Sequence, residues 1–165
     1  MSIARRLYDD FFADVNSADY RGLTCLFIAL WRGHDELASW LLETGVDVEP
    51  ANEHGIRPFH VCCMGRSGLG PQLLELGADP HGPDDVGRTP FYMCCASASA
   101  SLGLRLLDLG ADPKAAYSGY TAGEAARKSK CTELKEAITN AIAAKANIKT
   151  TGRRNNRASK MLEEL

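Results

Sequence analysis

The sequence predicts an all-α solenoid of stacked helix pairs, and three sets of landmarks that recur in one phase predict it. The phrase Ala13-Asp14-Val15-Asn16 returns as Val46-Asp47-Val48-Glu49, Ala78-Asp79-Pro80-His81 and Ala111-Asp112-Pro113-Lys114, with its aspartates 33, 32 and 33 residues apart. Gly22, Gly55, Gly87 and Gly119 keep the same beat, at intervals of 33, 32 and 32. The pairs Leu41-Leu42, Leu73-Leu74 and Leu106-Leu107 each stand just before one of the aspartate phrases. A fixed period of about 33 residues is the mark of a chain built from units that cannot bury their apolar faces alone and so must stack.

Each unit supplies a turn, a short helix, a second helix and a return loop. Two residues past each landmark glycine the chain reads Thr24-Cys25-Leu26-Phe27, Arg57-Pro58-Phe59-His60, Thr89-Pro90-Phe91-Tyr92 and Thr121-Ala122-Gly123-Glu124. Pro58 and Pro90 suit a first helical position, where no backbone donor is needed and φ is already set. Thr24 and Thr89 precede that position and can cap orphan N–H groups. The second helix carries its core stripe at Leu37, Leu41 and Leu42, and again at Leu102, Leu106 and Leu107. Gly45, Gly77 and Gly110 then end it in a left-handed conformation. Trp40 is placed in the core beside Leu41.

These residues resemble the ankyrin repeat, whose period is about 33 residues with a Thr-Pro-Leu-His-x-Ala phrase. The resemblance implies a slightly curved stack with projecting hairpin loops: a half repeat over 1–18, full repeats over 19–51, 52–83 and 84–115, a capping repeat over 116–143, and a basic tail over 144–165. Some residues depart from the pattern. Phe12 stands where the other units have glycine. The second repeat lacks one residue, and Gly68, Gly70 and Pro71 weaken its second helix. Ala96-Ser97-Ala98-Ser99-Ala100-Ser101 replaces the usual Gly-His connection in the third. The middle of the stack is therefore expected to be its softest part.

Composition narrows the function. With 45% hydrophobic and 24% charged residues the chain reads as an ordinary soluble domain. It has no run of apolar residues long enough to span a membrane. Its N-terminal stretch has neither an apolar presequence core nor the acid-poor character of a transit peptide. Cytoplasm or nucleus is the expected location, with uncleaved import into an organelle left open. The six cysteines are expected as reduced thiols. Cys62-Cys63 and Cys94-Cys95 fall where the resembled family places paired alanines, which implies buried packing. Equivalent positions on stacked helices lie about 10 Å apart, too far for a direct disulfide. His60 takes the place of the family's histidine, which bridges turns by hydrogen bonding. No nucleophile–base set, phosphate loop or carboxylate pair is visible, so neither an enzyme, a cofactor, a bound metal nor a small-molecule substrate is expected.

Binding is the expected activity. The resemblance implies partners docked on hairpin tips and on the exposed ends of first helices. By repeat position these are Tyr20, Arg21, Leu23, His54, Ile56, Arg88, Tyr117 and Tyr120 at the tips, and Trp31, Arg32 and Met64 on the helix ends. Trp, Tyr and Arg are the types that concentrate binding energy, which makes Tyr20, Arg21, Trp31 and Arg32 an anchor cluster. Residues 1–126 carry 9 Lys/Arg against 17 Asp/Glu, a balance of −8, and residues 127–165 carry 10 against 4, or +6. The body is accordingly expected to prefer a basic partner. Lys149, Arg153, Arg154, Arg157 and Lys160 form a second contact, to protein or, through the tail alone, to nucleic acid. The reading is a non-catalytic adaptor or small accessory subunit of a larger assembly. One alternative comes from Gly55 to Gly65 and Gln72 to Pro80, which look like a repeat of the four-repeat cyclin-dependent-kinase inhibitors. Tyr92-Met93-Cys94 and the basic tail depart from those inhibitors. The other alternative is a nucleoprotein component whose tail contacts RNA.

Overall fold

Three threonines begin three helices in the same way. The hydroxyl of Thr24 accepts the Phe27 N–H at 3.2 Å, that of Thr89 accepts the Tyr92 N–H at 3.2 Å, and that of Thr121 accepts the Glu124 N–H at 3.3 Å. Each bond satisfies a donor that the helix itself cannot, worth about 1 kcal/mol. The computed structural model describes residues 14–144; Phe12, most of the half repeat, and the tail lie outside the described residues. The helices are α1 (Cys25–Arg32), α2 (Asp35–Glu43), α3 (Pro58–Cys63), α4 (Gly70–Glu75), α5 (Pro90–Ser97), α6 (Ala100–Asp108), α7 (Ala122–Lys128) and α8 over residues 132–144. A short hairpin of β1 (Ala116–Tyr117) and β2 (Tyr120–Thr121) pairs antiparallel, with Ala116 opposite Thr121 and Tyr117 opposite Tyr120.

Packing follows the sequence period. α1, α3, α5 and α7 touch in succession, while α2, α4 and α6 each pack on the first helix of their own unit. Leu26, Leu30, Phe59, Leu73, Phe91, Leu106 and Leu134 are at most 1% exposed and form one continuous core with Trp40, Leu41 and Leu42. Burying side chains of this size contributes about 1.5–3 kcal/mol each. The architecture is an all-helical ankyrin-type solenoid. No helix among the described residues is long and apolar enough to cross a membrane.

Two details add to the sequence reading. The residue missing from the second unit is lost from the first helix: eight positions separate Arg57 from the left-handed Gly65, where nine separate Thr24 from Gly33 and Thr89 from Ala98. α4 is short, as the glycines and proline imply, with six residues against nine in α2 and α6, and Gly70 is also a packing residue. A methyl group there would lie 2.7 Å from Leu102 Cδ2, and one at Gly103 would lie 2.7 Å from Leu134 Cδ2. Both glycines are buried, so each lets a leucine of the following unit approach the helix backbone. In the Ala/Ser connection, Ala98 adopts φ 62°, the left-handed place filled by Gly33 and Gly65 in the earlier units. The Ser97 hydroxyl donates to the Cys63 carbonyl at 2.6 Å, and Ser129 repeats this to the Cys95 carbonyl at 2.7 Å.

Candidate functional site

The first three tips are built by one repeated device. Asp19 Oδ1 accepts the N–H groups of Arg21 and Leu23, Asn52 Oδ1 those of His54 and Ile56, and Asp84 Oδ1 those of Val86 and Arg88. A short polar side chain that folds its own loop in this way fixes the tip without a strand. Neighbouring tips are then tied together. The Glu53 N–H donates to the Arg21 carbonyl at 2.9 Å and the Asp85 N–H to the His54 carbonyl at 3.2 Å.

Between the first two tips and α1 lies a groove of about 410 Å³, lined by Arg21, Leu23, Phe27, Ile28, Trp31, Arg32, Asn52, His54 and Ile56. Its floor is apolar. Phe27 and Trp31 stack with centroids 6.1 Å apart and planes 12° from parallel. The Arg66 guanidinium stands 4.9 Å from the Trp31 ring centre, a cation–π contact that holds the indole in place. Trp31 nevertheless stays 39% exposed and Ile28 44%. At the rim, Arg21 Nε meets Glu53 Oε1 at 2.9 Å, and that hydrogen bond and charge hold the guanidinium pKa above its ordinary value. His54 Nε2 lies 3.8 Å from the same carboxylate.

The structure brings together six residues predicted for partner contact: Arg21, Leu23, Trp31, Arg32, His54 and Ile56. Ile56 needs a correction. Repeat position puts it at an exposed tip, but it is buried, because the Asn52 turn directs it inward to form part of the floor. Met64 likewise packs half-buried against the core. The remaining tip residues stand away from the groove. Tyr20 is 94% exposed. Arg88 is held by Asp84 at 2.7 Å and faces Tyr117, which meets Tyr92 edge to face at 5.6 Å. Tyr120 is covered by the Lys128 ammonium at 3.6 Å. Lys149, Arg153, Arg154, Arg157 and Lys160 lie outside the described residues. Sequence reasoning missed Phe27, Ile28 and Asn52. Ile28 precedes Trp31 and Arg32 by three and four positions, the spacing of one helix face, and that signal was available.

The buried polar groups serve the fold. His60 Nδ1 accepts the Arg57 N–H at 3.0 Å, and Nε2 accordingly donates to the Gly82 carbonyl at 2.8 Å. Cys62, Cys63, Cys94, Cys95 and Cys131 are buried, and Cys25 is exposed. Burial, with the neighbouring Cys94 adding to it, pushes the Cys63 thiol well above its ordinary range. Burial pushes the thiols of Cys62 and Cys95 up to about 12. A thiol is attacked through its thiolate, so an aromatic disulfide reagent is expected to modify one thiol rapidly in the native chain, at Cys25. The other five should react only with denaturant; a second fast thiol at neutral pH would contradict this packing. Among the described residues no three His, Cys, Asp or Glu side chains are grouped to hold a metal ion.

Seven of the nine groove-lining residues, all but His54 and Ile56, fall in a stretch that a known family matches. The ankyrin-repeat family profile matches residues 21–53. Over 50 residues the chain is 40% identical to a mouse (Mus musculus) protein described as protein fem-1 homolog A-like. That match covers 30% of this chain and 8% of the relative's length. The chain is ankyrin-repeat-like, in keeping with its stacked helix pairs.

Proposed function

We propose that this chain is a non-catalytic protein-interaction module, an adaptor or small accessory subunit, whose main contact is the groove between the first two tips and α1. One observation carries the reading: an aromatic-floored cleft keeps Trp31 and Ile28 partly wet although the fold has an apolar core available to bury them. A rigid cleft presenting Trp beside Arg is the composition in which binding energy concentrates. Tips locked to one another by backbone hydrogen bonds present that cleft with little to order on binding. The tail over 144–165 supplies the second contact, and two contacts on one assembly raise effective concentration.

A native pull-down with the full chain tests this, repeated with Trp31→Ala, with residues 144–165 removed, and after nuclease treatment. Trp31→Ala is expected to weaken the principal partner about tenfold, the effect of a moderate hot spot. Its melting temperature should stay close to that of the parent, since the side chain is half outside the core. Binding that survives Trp31→Ala but vanishes with the tail or with nuclease would make the tail, and RNA, the site of recognition. A protein kinase among the groove-dependent partners would assign the inhibitor role instead.

A further inference from the structure

The charge of the groove is opposite to that of the body around it. Residues 1–126 carry eight more acids than bases. The groove lining nevertheless contains two arginines and a histidine and no aspartate or glutamate. Three carboxylates adjoin that lining: Glu53 pairs with Arg21 at 2.9 Å, Asp19 accepts the Arg21 and Leu23 N–H groups, and Asp85 lies behind Gly55. Arg32 has no ion-pair partner among the described residues, and neither does Arg66, which stands over the other groove aromatic, Trp31. An overall acidic body therefore frames a small cationic mouth with an apolar floor.

We propose that the groove takes a partner segment with an apolar anchor residue flanked by Asp or Glu. This rests on the groove being the contact surface argued above, and it sets aside the basic partner that net charge alone implied. The anchor lies on Ile28, Trp31 and Ile56. A carboxylate beside it meets Arg32, and a second one reaches Arg66 on the far side of the indole. These rim pairs keep water on one side, so they steer and select more than they tighten. Their contribution fades as salt screens them. A basic segment would bring cations against Arg32 and Arg66 and is selected against.

The probe is a random twelve-residue peptide library displayed on phage and selected on the immobilised full chain. Recovered peptides are expected to carry Asp or Glu next to Leu, Ile, Phe or Trp. A synthetic peptide of the consensus should shift the Trp31 indole resonance and lose about tenfold in affinity against Arg32→Glu, the size of a rim charge reversal. The same peptide with its acids replaced by lysine should prefer the Arg32→Glu chain over the parent. Arg32→Gln and the melting temperatures of all variants separate lost binding from lost folding. Groove-bound peptides that need Trp31 but carry no acid and ignore Arg32→Glu would overturn the acidic class and leave the groove standing. Peptides that ignore both substitutions, or a library that yields none, would overturn the groove as well. Nuclear Overhauser contacts between residues 1–13 and the Trp31 indole in the free chain would make the chain's own N-terminal segment the occupant, which also overturns the proposal.

Discussion

Replacing Gly55 by alanine is expected to destabilise the fold by about 2–4 kcal/mol, the sum of a left-handed backbone and an overpacked contact. Gly55 adopts φ 70°, and a methyl group on it would lie 2.7 Å from the Asp85 backbone nitrogen. That nitrogen donates to the His54 carbonyl, so a side chain at Gly55 must push the third tip off the second. Gly87 provides the control. It has φ 87° with nothing within 4 Å of the added carbon, so Gly87→Ala should cost only the conformational part, about 1–2 kcal/mol. Urea unfolding of the two variants checks the difference. Equal losses would show that the tips do not press on each other as described.

His60→Ala is expected to cost about 3 kcal/mol, since it opens a cavity and orphans two backbone groups. The ring is 1% exposed and bridges the Arg57 N–H to the Gly82 carbonyl. This geometry needs the neutral ring, because a protonated Nδ1 could not accept from Arg57. Burial, with the nearby Arg57 charge adding to it, lowers the His60 pKa below 6.5 despite the opposing bond to Gly82. The unfolded chain binds the proton more readily than the folded one. The contribution is therefore complete above about pH 6.5 and is lost as the pH falls from there toward the folded value. His34, His54 and His81 are exposed. Denaturation series at pH 7.5 and 5.5 should show a loss of stability in the parent that is reduced in His60→Gln. Parallel losses in both would place the acid sensitivity in other groups.

The parts of this fold legible in sequence were those a single residue imposes on its own neighbourhood. Thr24 and Thr89 cap, Pro58 and Pro90 start helices, Gly45, Gly77 and Gly110 turn left-handed, and His60 bridges, all as the spacing implies. The misread residues are those whose role is set by another unit. Gly70 reads only as a helix weakener until Leu102, 32 positions later, is seen to need its missing side chain as well. Ile56 looks like a tip residue until the Asn52 turn points it inward. In the groove, Arg21, Trp31 and Arg32 were found by type and position, whereas Phe27 and Asn52 join it only through the approach of α1 to the second tip. Net charge and the charge of the groove lining differ for a related reason. Asp47, Asp79 and Asp112 are exposed and hold turns at Glu49, His81 and Lys114, so they add to the sum without lining the cleft.

The serine hydroxyls that reach back one unit give the stack a polarity. Ser97 completes the carbonyl of Cys63, and Ser129 that of Cys95, so one terminal carbonyl of each of those helices is satisfied by the next unit while its own turn caps the others. Duplicating or grafting a unit of this chain therefore transfers a dependence as well as a shape. A unit inserted after α5 must bring its own hydroxyl at the Ser129 position, or it leaves the Cys95 carbonyl without that donor. The natural cut for recombining these units is not the loop between pairs but the span from one such carbonyl to the serine that answers it.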